Sequence, residues 1–80
     1  ALGDSTRVRI IAALLDGERC VHVLTDELGM SQSAVSHQLA TLRELRVVRA
    51  AKEGRHVYYT LDDAHIHALF QQALDHLQHQ

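Results

Sequence analysis

Eighty residues with no Pro, no Trp and a single Cys make one small domain with a thin core, and neither a disulfide framework nor a cysteine-rich zinc knuckle can reinforce it. No apolar run approaches the roughly 20 residues of a membrane span and no signal-peptide pattern opens the chain, so no membrane partner is expected, and a lone thiol suits the reducing cytoplasm. The formal net charge of −2 speaks against nucleic acid, but its distribution does not: Arg43, Arg46, Arg49, Lys52 and Arg55 face only Glu44 and Glu53, whereas residues 56–80 hold three Asp and no Lys or Arg.

Asp4 is the expected cap of a first helix whose apolar positions Val8, Ile11 and Leu15 keep the helical period, and Asp16-Gly17 stops it. A second helix is expected from about Val21 to Leu28, closed by Gly29. Ser31 then caps a third, with Val35, Leu39 and Leu42 as its buried stripe. Val47 to Ala51 and His56 to Leu61 are rich in β-branched and aromatic residues and flank Lys52-Glu53-Gly54-Arg55, which reads as a hairpin. A last helix starts at Asp62 or Asp63, with Leu69, Ala73 and Leu77 spaced for packing. The order α-α-α-β-β-α predicts a mainly α winged helix-turn-helix domain over residues 1–80. The chain lacks an initiator Met and its first helix begins almost at once, so a segment ahead of Ala1 is expected.

Two short helices joined at Leu28-Gly29-Met30-Ser31 fit the helix-turn-helix, whose second helix enters the major groove. Opposite its buried stripe, that helix offers Gln32, Ser33, Ser36, His37 and Ala40, and residues 32–42 carry no charge. Short hydroxyl and amide side chains can approach base edges closely, whereas an ordinary solvated face favours Glu and Lys. The candidate DNA contacts are therefore Gln32, Ser33, Ser36, His37 and Gln38, with Lys52, Arg55 and His56 at the wing.

The segments Ala1-Leu-Gly-Asp-Ser-Thr-Arg7, Met30-Ser-Gln-Ser-Ala-Val-Ser-His-Gln-Leu39 and Gly54-Arg-His-Val-Tyr-Tyr59 closely resemble the ArsR/SmtB family of metal-responsive repressors over essentially the whole chain. The resemblance implies a homodimer whose interface includes an additional N-terminal helix. It also implies a recognition helix that holds operator DNA, an imperfect palindrome, and release of the DNA when metal binds. Ser5 stands where the family often has Pro, a small departure.

The chemical signal is Asp63-x-His65 followed by His76-x-x-His79. Eleven residues turn a helix through about 1100°, within about 20° of whole turns, so His65 and His76 share a face; they are also about 16 Å apart in rise. Ligand nitrogens lie about 2.0–2.1 Å from zinc, so one helix cannot close a site from both ends. Two copies packed antiparallel can, giving two sites of three His and one carboxylate per dimer. Such donors suit Zn(II), or Co(II) or Ni(II) with added ligands. Asp63 lies about 200° from His65 on a regular wheel and joins the site only if it precedes the helix. The resemblance places the metal site of the family's zinc and cobalt sensors at the same four positions. It also makes the main-chain oxygen of Arg46 the acceptor for the outer N–H of His76. His67 falls off this face, and Cys20, followed by His22 rather than a second Cys, reads as a small buried hydrophobe. Two rival functions are a winged-helix repressor answering to a thiol oxidant through Cys20, and a small zinc hydrolase. Four donors leave no open metal position and eighty residues leave no room for a substrate pocket, so no enzyme is expected.

Overall fold

The computed structural model describes the backbone of residues 2–78 and the side chains of residues 5–78. Along the chain lie α1 (Leu2–Leu15), β1 (Arg19–Cys20), α2 (Val21–Leu28), α3 (Gln32–Glu44), β2 (Val48–Glu53), β3 (His56–Leu61) and α4 (Ala64–Gln78). The strands form one antiparallel sheet in the order β1-β3-β2. Ile10, Leu14, Leu24, Val35, Leu39, Leu42, Val48 and Leu61 close the core between the first three helices and the base of the hairpin. The expected winged helix-turn-helix architecture is what the chain adopts.

The helix ends follow from local chemistry. The Ser31 hydroxyl accepts from the Ala34 N–H at 3.1 Å, capping α3. Gly29, at φ 64°, makes the left-handed turn between α2 and α3. At the far end of α3 that role falls to a non-glycine, Arg46 at φ 59°. The Val47 N–H donates to the Leu42 carbonyl at 2.9 Å and the Arg46 N–H to that of Arg43 at 3.0 Å, the two bonds of a Schellman closure.

Several details depart from the sequence expectations. Asp4 sits inside the first turn of α1 rather than at its cap, where an acidic residue still complements the helix dipole; its side chain lies outside the described residues. The buried residues of α1 are Ile10, Leu14 and the expected Ile11, while Val8 is 64 % exposed, because this helix is apolar on two faces and only one meets the core. In α4, Ile66, Phe70 and Leu74 are half-buried, whereas the expected Leu69, Ala73 and Leu77 are exposed, Ala73 and Leu77 along an apolar groove shared with α1. The wing strands run on through Lys52 and Glu53, leaving a two-residue turn of Gly54 and Arg55 with Glu53 opposite His56. Gly54, at φ 62°, takes the position where a tight hairpin needs a positive φ.

Candidate DNA interface and metal-ligand helix

Gln32, Ser33, Ser36, His37 and Ala40 all lie exposed along one side of α3, and Lys52, Arg55 and His56 lie exposed at the wing. The same side of α3 runs into Arg43. With Arg46 and Arg49 it lines a shallow hollow of ≈ 280 Å³ that also takes in Asp62. Among the described residues no ion pair joins these guanidinium groups to Asp62. An uncharged polar face thus passes directly into a positive one, the order expected where base edges are read and phosphates are held.

Gln38 differs from its neighbours. It is half-buried, and its Oε1 accepts a hydrogen bond from Nε of Arg7 in α1 at 2.8 Å. The wheel explains the position: Gln38 is three residues from Val35 and four from Leu42, so it borders the core stripe.

Asp63 stands just outside α4 as its cap. Its Oδ1 accepts from the Ile66 N–H at 2.9 Å and lies 3.9 Å from Nδ1 of His65, leaving Oδ2 for a cation. His65 is 98 % exposed on its side chain, and His76 is exposed eleven residues further on. His79 lies outside the described residues. Within one protomer no three donors of the His, Cys, Asp or Glu kind gather among the described residues, as the rise along α4 requires. His67 points elsewhere, with its Nε2 3.3 Å from the Leu15 carbonyl of α1. The donor set, imidazoles with one carboxylate, fits a zinc-like cation.

The sequence reading missed β1, whose two residues pair Arg19 with Tyr59 and Cys20 with Tyr58. The thiol of Cys20 is free and half-buried there. No helix among the described residues is long and apolar enough to cross a membrane.

Three helices with a capped helix-turn-helix, followed by a basic hairpin, define a winged helix-turn-helix DNA-binding domain. The chain matches the family described as "Bacterial regulatory protein, arsR family" over residues 4–50, and it belongs to that family. It is 46 % identical over 78 residues to the transcriptional repressor SmtB homolog of Synechocystis, covering 98 % of this chain and 59 % of that protein. It is 42 % identical over 77 residues to the cadmium resistance transcriptional regulatory protein CadC homolog of Staphylococcus aureus, covering 95 % and 64 %. The chain thus spans about three fifths of these relatives. Among solved structures, it is similar to the homodimeric winged helix-turn-helix DNA-binding domain of a possible ArsR-family regulator from Mycobacterium bovis. That match has a TM-score of 0.85 and 30 % identity, over 99 % of this chain and 77 % of that one. It is also similar to reduced HlyU from Vibrio cholerae, with a TM-score of 0.77 and 39 % identity over 84 % and 70 %. These relatives are named as regulators, not enzymes.

Proposed function

We propose that this protein is a metal-responsive transcriptional repressor. Its homodimer holds operator DNA in the metal-free state and releases it when Zn(II), or Co(II) or Ni(II), binds at sites between the subunits. The observation that carries the metal half is the outward face of α4. His65, Leu69, Gln72 and His76 fall on one stripe by helical spacing, all exposed, with Leu69 60 % exposed between the two imidazoles. Leu69 with the exposed Ala68 and Ala73 beside it gives this face an apolar centre between the imidazoles, which a second helix could cover.

An antiparallel copy of α4 answers both needs. Pairing His65 with the partner subunit's His76 puts the two-fold axis midway between residues 65 and 76. Pairing Asp63 with the partner subunit's His79 puts it midway between 63 and 79. The two midpoints differ by half a residue, so one register serves both pairs. Bound zinc would supply a fixed four-coordinate link between the two helices.

The protein's own part is to have two arrangements of unequal metal affinity, since a ligand shifts an equilibrium only by that difference. DNA must then weaken metal binding by the same factor that metal weakens DNA binding. Ser33, Ser36 and His37 would read bases in two half-sites related by the dimer's two-fold, hence a near-palindromic operator. Lys52, Arg55 and His56 would hold phosphates, and the Arg46 carbonyl, set by its left-handed turn, would accept the outer N–H of His76. The names of the relatives, a repressor and a cadmium-resistance regulator, support the class. Work of this kind belongs in the cytoplasm.

A second reading draws on the likeness to a structure titled as reduced HlyU together with the free thiol of Cys20: a winged-helix repressor answering to a thiol oxidant. Operator binding measured by fluorescence anisotropy, with zinc, with peroxide and with neither, separates the two. A fall in affinity with zinc is expected. An affinity that is indifferent to zinc, cobalt and nickel would overturn the metal reading.

A further inference from the structure

We infer that Gln38 is not a base-reading residue but half of an interhelical joint, in which Arg7 of α1 fixes the pitch of the recognition helix α3. The inference rests on the DNA-binding reading above. The Arg7–Gln38 bond spans 31 positions of sequence at 2.8 Å, is part-buried, and ties the middle of α3 to α1. An amide reads adenine by using its oxygen and its nitrogen together, on N6 and N7. Oε1 keeps a second lone pair, but the half-buried amide is turned toward the Arg7 guanidinium on α1, so a two-point contact with a base edge requires it to swing out and lose that bond. A bond to a charged donor is among the stronger ones, so the broken state is disfavoured.

The other end of α1 is held as well. The Leu15 carbonyl meets His67 of α4 at 3.3 Å, and Val8, Ile11 and Leu15 line an apolar groove with Phe70, Leu74 and Leu77. α1 is therefore a bar with α4 seated on one side and α3 pinned from another. A displacement of α4 reaches α3 through the pin at Gln38.

The test is a double-mutant cycle on metal-free protein, with Arg7→Lys, which keeps the charge but loses the Nε donor, Gln38→Met, and both together. Affinity is measured against the operator, a set of single-base operator variants and random DNA. If the pair is a joint, each single variant weakens every operator variant by the same factor, about tenfold. The double variant is then no weaker than the singles, and random-DNA binding stays put. If Gln38 reads a base, Gln38→Met relaxes preference at one operator position, Arg7→Lys does not, and the two effects multiply; that result overturns the inference. Failure of all proteins, wild type included, to prefer operator over random DNA would instead refute the DNA reading itself. Amide hydrogen exchange guards against a trivial loss of fold. Arg7→Lys should speed exchange in α3 while leaving β2 and β3 unchanged, and unchanged exchange in α3 would also overturn the joint.

Discussion

If α4 pairs antiparallel with its copy in the register that brings His65 to the partner subunit's His76, the two-fold axis passes between residues 70 and 71. Leu69 then lies about 2 Å from the axis along the helix, and the two copies of Leu69 are offset by three residues, about 4.5 Å. Helices pack about 8–10 Å apart with Cα atoms at a radius of about 2.3 Å, so facing Cα atoms are about 3.4–5.4 Å apart across the interface. Ala68 and Ala73 flank Leu69, both exposed in the protomer, and small residues favour the close end of that range. The resulting Cα separation is about 5.6–6 Å, inside the window of about 4.4–6.8 Å that a disulfide accepts. Leu77, 66 % exposed, has an equal apolar claim to an interface, yet its copies would lie 13 residues, about 20 Å, apart. In a Cys20→Ser background, Leu69→Cys should therefore cross-link to a covalent dimer under mild oxidation, and Leu77→Cys should not. Non-reducing gels and sedimentation read the outcome. Cross-linking through residue 77 but not 69 would refute the register, and with it the two-subunit site.

Other consequences are simpler to measure. His76→Ala should abolish the loss of operator affinity in saturating zinc. His67→Ala, which removes only a bond to the Leu15 carbonyl, should keep the response while losing at most about 1 kcal/mol of stability. The reverse pattern would show the ligands to be misassigned. Arg46→Gly should relieve the left-handed strain and raise the thermal midpoint by several degrees, for a gain of about 1 kcal/mol; an unchanged or lower midpoint would contradict it. Operator binding should weaken steeply with salt. At a slope of roughly −0.9 per phosphate, three contacts per subunit from Arg43, Arg49, Lys52 and Arg55 give about −5 for the dimer. A slope near zero would remove DNA as the partner.

What could be read from the sequence depended on whether a feature was local. Gly29 and Ser31 punctuate the chain by their own chemistry, so the helix-turn-helix and the uncharged outer face of α3 were visible at once. Two other helices carried more than one apolar line. In α4 the sets Leu69/Ala73/Leu77 and Ile66/Phe70/Leu74 have the same spacing, and only docking on α1 and β3 decides that the second packs inward. Period alone cannot choose between them. In α1 the same ambiguity put Val8 where Ile10 belongs. β1 was invisible because two residues show no alternation, and the left-handed turn at Arg46 because no glycine marks it. Gln38 was grouped with its polar neighbours, though its spacing from Val35 and Leu42 already placed it beside the core.

If metal regulates DNA binding as proposed, the motion required is small. Gln38 lies near the middle of α3, five residues from Ser33, or about 7.5 Å along the helix. A tilt of about 10° around a pin at Gln38 carries Ser33 sideways by about 1.3 Å. Hydrogen bonds to base edges live within about 0.5 Å of distance, so such a tilt breaks contact with the groove while leaving the fold intact. The core around Val35, Leu39 and Leu42 resists bending of α3 itself, because close-packed interiors shift between discrete arrangements rather than deform smoothly. Reorientation as a rigid body is the cheaper response, and the part-buried Arg7–Gln38 bond sits where that rotation would be set. On the proposed reading, a clamp of α4 across a two-fold would need to move α1 by only a fraction of a helical turn to change what α3 can read.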